Sequence, residues 1–300
     1  MDAPPRGLQA VAAPRTVVAR TPRMNLYDAH NHFHFDTLTP HRAQIDTDLR
    51  NCGVRSAVVN GTCEDEWPVV AGLARTYGWI LPSYGVHPWD CGNRTPVWRE
   101  RLRTAVAADP RAGVGEIGLD RWIVDGARPD DPRLAGLRVA PLEEQKEVFV
   151  AQLALAAELN RVASIHCTQA FSLLLEVLRT TPRPARGFLL HHYGGPADMV
   201  KIFADLGAYF SYNLAAEQPQ RAGERDSFRA VPADRLLVET DAPAYAPPEV
   251  NPFPLGSAAG TVINHPANIA VAYASLARVR GTPLAALAAQ AEQNFSRLFL

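Results

Sequence analysis

Eight short apolar segments recur along this chain, most of them followed by a stretch with helical spacing, and that alternation narrows the fold more than any other property. Residues 26–32, 54–60, 80–86, 113–118, 162–166, 187–191, 208–212 and 236–239 read as strands. Helices are expected over 42–52, 65–77, 96–108, 141–160, 171–179, 197–206 and most of the alanine-rich remainder to residue 300. Gly53 and Gly78 stop two of these helices, Pro96 and Pro141 open two others, and Asp109-Pro110 breaks one. Strand and helix in alternation predict βαβ units and a parallel sheet. No change of composition marks a linker and no internal repeat is present, so the eight units predict an α/β chain with a single (β/α)8 TIM barrel over residues 24–300. A doubly wound open sheet would carry a nucleotide loop after its first strand, and the chain has neither G-x-G-x-x-G nor G-x-x-x-x-G-K. The loop at 125–137 is longer than a plain connector, which suggests a functional role.

Composition bounds the partners. With 30 basic and 31 acidic residues the formal net charge is -1, so nucleic acid would have to be held by a local basic rim. Cys52, Cys63, Cys91 and Cys167 are scattered without a C-x-x-C pair, which favours a reducing, cytoplasmic setting. No apolar run has the length of a membrane span or the core of a secretory signal. Residues 1–23 hold four arginines, four prolines and one aspartate without apolar periodicity. They are expected to form a disordered extension, or to lie upstream of a true start at Met24.

The chemistry begins at Tyr27-Asp28-Ala29-His30-Asn31-His32-Phe33-His34. On a strand His30 and His32 share a face with Asp28. Two imidazoles on one face can share a metal; a satisfied buried pair is the competing reading. Later residues decide between them, because catalytic groups of a barrel collect at the C-terminal strand ends. His30 and His32 end the first strand, His87 follows the third, Glu116 lies late in the fourth, His166 and His191 end the fifth and sixth, and Asp241 follows the eighth. Imidazole and carboxylate without cysteine suit Zn²⁺, Mn²⁺ or Fe²⁺, with Mg²⁺ where carboxylates dominate. One catalytic zinc takes about three protein ligands, whereas two ions bridged by a carboxylate and water would use the whole set. Glu116, central in the order of ligands, is the natural bridge.

Six ordered motifs carry a resemblance: Asp28-Ala29-His30-Asn31-His32, Gly85-Val86-His87-Pro88, Gly115-Glu116-Ile117-Gly118-Leu119-Asp120, Ser164-Ile165-His166-Cys167, Leu190-His191-His192-Tyr193-Gly194-Gly195 and Val238-Glu239-Thr240-Asp241-Ala242-Pro243. The chain resembles the TatD family of metal-dependent hydrolases, within the amidohydrolase-like barrel enzymes. That resemblance implies two divalent ions (Zn, Mn or Mg), with His30, His32 and Asp241 holding one, His166 and His191 the other, and Glu116 bridging. It gives His87 a contact to the scissile phosphate or a part in proton transfer, beside Asp241 and Glu116 as catalytic groups. It also implies a deoxyribonuclease working from the 3′ end, acting on single-stranded DNA, with a monomer compatible with the sequence. One departure stands out: where the motif D-x-H-x-H-x-D places its second aspartate, this chain has His34. Asp36 would restore the pattern only by a shift of register to His32 and His34, which leaves Asp28 outside it.

Arg121, directly after Gly-Leu-Asp, is a candidate phosphate clamp, since a guanidinium can pair two oxygens at once. Trp89, Trp122, Tyr193 and Tyr212 are candidates to stack on unpaired bases, packing being the alternative for each. Two other functions use the same residues: hydrolysis of a small ester, lactone or amide at the metal site, and a non-catalytic metal-binding barrel. Cys167 offers no nucleophilic pair with His166, because neighbours on a strand face opposite ways.

Overall fold

The computed structural model describes residues 24–128, 130–247, 251–256 and 262–300, so the tail at 1–23 lies outside the described residues. Eight strands, β1 (Leu26–Asn31), β2 (Val54–Gly61), β3 (Ile80–Tyr84), β4 (Gly113–Asp120), β5 (Ala163–Thr168), β6 (Phe188–Leu190), β7 (Ala208–Tyr212) and β8 (Leu236–Val238), pair in chain order in one sheet. Every neighbouring pair is parallel. Beyond β8 the chain returns to β1: Asp241 N donates to His30 O at 3.0 Å and His32 N to Ala242 O at 2.7 Å. Those two bonds close the ring and fix Asp241 beside the first-strand histidines.

The helices are α1 (Arg42–Cys52), α2 (Trp67–Thr76), α3 (Trp98–Ala108), the single turn α4 (Trp122–Asp125), α5 (Leu142–Glu158), α6 (Phe171–Thr180), α7 (Ala197–Asp205), α8 (Ala222–Ala230), α9 (Ile269–Arg280) and α10 (Leu284–Phe299). Helix α5 buries Val148, Phe149, Leu153, Leu155 and Ala156 together, the run its spacing predicts. Helix α8 falls in the stretch between β7 and β8 where the periodicity indicates none, because only Ser227 and Phe228 of its nine residues are buried. A short antiparallel pair, Leu255–Gly256 with Val262–Ile263, is likewise absent from the sequence pattern. The long loop after α4 folds partly into a 3-10 turn, Pro132–Leu134.

Strand alternation explains why the site sits where it does. Val58, Leu81, Val162, Leu189, Tyr209 and Leu237 belong to one buried apolar cluster. Two residues further along each strand, on the same face, stand Asn60, Ser83, Ser164, His191, Ser211 and Glu239, all buried. Another step of two reaches His166, Asn213 and Asp241. The face that closes the barrel below with hydrocarbon therefore turns polar toward the C-terminal ends. Among the described residues no helix is long and apolar enough to cross a membrane.

Candidate metal centre

Glu116 stands at the middle of the polar face, and glycines clear its place. A Cβ on Gly85 would meet Glu116 O at 2.5 Å, and one on Gly115 would meet Ser164 Cβ at 2.6 Å. Only glycine lets β3 and β5 come that close to the β4 backbone. The Glu116 carboxylate, 3% exposed, then divides two sets of imidazoles. Its Oε2 lies 3.4 Å from Nε2 of both His30 and His32. Its Oε1 lies 3.0 Å from His166 Nδ1, 2.8 Å from His191 Nε2 and 3.2 Å from His87 Nε2. Asp241 Oδ1 completes the first set, 3.3 Å from His32 Nε2 and 3.9 Å from His30 Nε2.

These spacings suit cations. Bonds of about 2.0–2.2 Å place neighbouring tetrahedral ligands about 3.3–3.6 Å apart. The pairs His30 Nε2 to His32 Nε2 and His166 Nδ1 to His191 Nε2 are both 3.3 Å. Groups of three that could hold an ion include His30, His32 and Asp241, and His30, Glu116 and His191. The electrostatics agree. Burial would raise the Glu116 and Asp241 carboxyls, but the surrounding imidazoles outweigh it and hold both well below the usual range. Burial likewise opposes protonation of His166, yet Asp120 and Glu116 draw it up to about 9, and Glu116 and Glu239 hold His191 well above its ordinary value. Burial and the neighbouring His191 push His30 down to about 4. Ionised carboxylates that pull protons onto nearby rings form a site that calls for positive charge.

Other groups fix the rings from behind. Asp120 Oδ2 lies 3.3 Å from His166 Nε2 and accepts from Trp89 Nε1 at 2.7 Å. Glu239 Oε1 lies 3.6 Å from His191 Nδ1; Asn213 donates to that oxygen at 3.0 Å and Ser211 to its partner oxygen. Trp89 N donates to His87 Nδ1 at 3.2 Å, so His87 carries its proton on Nε2, toward the cluster. Arg221 donates to His192 Nε2 at 3.0 Å, which turns His192 Nδ1 toward Asp241 Oδ2 at 3.8 Å. Asp28 is not in the cluster. It accepts from His30 N, Asn31 Nδ2, Thr240 N and Thr240 Oγ1, and so pins β1 to the segment that carries Asp241. His34 lies 3.0 Å from Glu66 Oε2, and its ring meets that of His32 edge-on at 5.8 Å between centroids.

A cleft of about 670 Å³ opens over the cluster, lined among others by His32, His87, Glu116, His166, His191 and Asp241. Its arginines are Arg133, from the long loop, and Arg221, just before α8. Arg121 is not among the lining residues: it follows β4 directly, and its half-exposed guanidinium faces Asp125 at 3.5 Å. Trp89 lines the cleft, while Trp122 stacks behind it at 5.9 Å with the Arg133 guanidinium 4.6 Å over its ring. Tyr193 and Tyr212 belong to the core instead. Tyr193 donates to Pro196 O and packs on Phe210, and Tyr212 bonds Ser275 and Glu217, so neither is available for stacking. Phe35, Phe171 and Tyr245 are lining aromatics that sequence spacing does not single out.

The family model described as TatD related DNase matches residues 27–300. Among curated relatives, the 3'-5' ssDNA/RNA exonuclease TatD of Klebsiella pneumoniae is 31% identical over 251 residues, covering 83% of this chain and 88% of that protein. The protein of the same name from Escherichia coli K12 is 28% identical over 250 residues, covering 83% and 89%. Among solved structures, a TatD homologue from Escherichia coli K12 superposes with a TM-score of 0.78 at 25% identity, covering 91% of this chain and 97% of that one.

Proposed function

The chain belongs to the TatD-related DNase family, and from that premise we propose that it is a metal-dependent 3′-5′ exonuclease acting on single-stranded DNA. The observation that carries the reading is the Glu116 carboxylate, whose two oxygens each face a separate set of imidazoles. In this reading His30, His32 and Asp241 would hold one divalent ion, His166 and His191 the other, and Glu116 would contribute to both. Bound there, zinc, manganese or magnesium would acidify water and neutralise charge on a phosphodiester.

The chain's own residues supply the rest. Arg133 and Arg221 line the cleft as the groups that pair with phosphate oxygens. Arg133 is held by Asp131 through Nε and Nη2, 2.9 and 2.6 Å, which orders the guanidinium and leaves Nη1 to donate to a phosphate. Asp241 accepts the proton of the attacking water at Oδ2, the oxygen on the His192 side. His87 donates from Nε2 to the phosphoryl group, its tautomer set by Trp89 N. A new O–P bond forms as the P–O3′ bond breaks, the released 3′ oxygen takes a proton, and a 5′-mononucleotide leaves. The ring of Trp89 offers a stacking face for an unpaired terminal base. The scattered cysteines, without a C-x-x-C pair, support work in the reducing cytoplasm.

Purified protein with Mn²⁺ or Mg²⁺ is to be offered single-stranded DNA labelled at its 5′ end, beside a panel of small esters and lactones. A ladder shortening from the 3′ end is expected. Turnover of the esters alone rejects the nuclease reading, and bound metal without turnover of any substrate rejects catalysis.

A further inference from the structure

Strand β2 supplies none of the six proposed ligands, yet its inner face ends in Asn60, fully buried beside both first-strand histidines. The Asn60 backbone carbonyl accepts from His32 Nδ1 at 2.9 Å. With the proton on Nδ1, His32 presents the lone pair of Nε2 to the cluster. The Asn60 side chain faces the other ring: its Nδ2 lies 3.1 Å from His30 Nδ1, and Ser164 Oγ lies 2.9 Å from the same nitrogen. Among the described residues Asn60 Oδ1 has no hydrogen-bond partner.

Two of these facts conflict with metal binding at His30 Nε2. A ring that gives the Nε2 lone pair to an ion carries its proton on Nδ1, and an N–H cannot face the amide N–H of Asn60. The amide meanwhile leaves a buried oxygen unpaired, which is unfavourable because the lost hydration is not replaced. A half-turn of the amide removes the clash at His30 and places Nδ2 where Oδ1 now stands. Oδ1 then accepts from His30 Nδ1–H, and the two ends of an amide are close enough in size that packing is unchanged. The bond given up is the long one from Nδ2 to Val58 O, 3.4 Å.

We propose that Asn60 is a positioning residue of the metal centre, its carbonyl oxygen holding His32 and its amide oxygen holding His30, each in the Nδ1–H tautomer with Nε2 offered to the ion. This rests on the reading of His30 and His32 as ligands. Asn60 also explains how two histidines of one strand come to face a single point, since one residue of the neighbouring strand sets both rings.

The test uses the full chain, with long-range proton–nitrogen correlation to read the His30 tautomer and calorimetric titration with Zn²⁺ to read affinity. Wild type is expected to show Nδ1–H on His30 when loaded. Asn60→Leu removes the amide and should weaken the first ion by about 10–100-fold, the usual cost of losing an outer partner. Asn60→Asp keeps an acceptor at that point and should stay within a few-fold of wild type. Should the Leu variant fail to fold, Asn60→Ala repeats the test with only a small cavity. The proposal is overturned if Asn60→Leu keeps both affinity and tautomer, or if Asn60→Asp loses as much as Asn60→Leu. Absence of any bound ion in wild type rejects the metal centre itself, and Nε2–H on His30 in that protein rejects the role of Asn60 as well.

Discussion

Each imidazole of the cluster has a partner that decides which nitrogen faces inward, and that choice separates holding an ion from giving a proton. His32 donates backward to Asn60 O, while His166 has its outer nitrogen beside Asp120 and Thr168. His87 is the reverse case, because its Nδ1 accepts from Trp89 N and leaves a proton on Nε2. This tautomer supports the proposed role of His87 in chemistry instead of in holding the ions. His87→Asn should lower kcat on single-stranded DNA by about 10²–10⁴-fold, the range of a positioned proton donor, with metal content unchanged. A variant with wild-type kcat, or one that loses an ion, contradicts the assignment. The six proposed ligands were legible in the sequence because they are chemically conspicuous residues in or just after five of the eight strands. Asn60, Asp120 and Glu239 were not, because what gives them a role is the ring on a neighbouring strand. Arg121 adjoins the same motif, and its guanidinium faces Asp125 at 3.5 Å instead of lining the cleft.

At the scale of elements, period-two alternation did most of the work, since it places hydrocarbon, small polar groups and ligands in successive layers up the same strands. Boundaries were less legible: β5 continues two residues past His166, and His191 lies just beyond β6. Helix α8 was missed because its outer residues are charged and its buried face is narrow. Local caps also escape a pattern reading. His265 accepts from Ala267 N at 2.9 Å, capping the turn Pro266–Asn268 that packs on α1. Burial pushes His265 down to about 4, with Asp48 opposing the shift and His41 reinforcing it. Its folded value lies below the ordinary 6.5, so the unfolded chain takes the proton first. Its stability contribution is complete above that pH and shrinks as pH falls toward 4. His265→Asn keeps an acceptor but cannot take the proton. Between pH 7 and 4.5 it should lose less thermal stability than wild type, by on the order of 1–2 kcal/mol. Parallel melting curves for the two proteins contradict this.

For the whole molecule, a formal net charge of -1 supplies no overall attraction to nucleic acid. Two arginines in contact with phosphates predict a shallow dependence of KM on salt, roughly -1.4 as the slope of log affinity against log salt on single strands. The double variant Arg133→Gln with Arg221→Gln should flatten that slope toward zero and raise KM; an unchanged slope places the phosphate contacts elsewhere. The barrel itself was legible from eight strand–helix alternations, and its closure follows from the two backbone bonds between the β8 segment and β1. Those bonds bring Asp241 to the first-strand histidines and, with Glu116 between the two sets, support the proposed two-ion centre. Metal content after saturation and dialysis tests that most directly. Wild type should retain two divalent ions per chain and Glu116→Ala at most one, whereas two ions persisting in Glu116→Ala would contradict the bridging carboxylate.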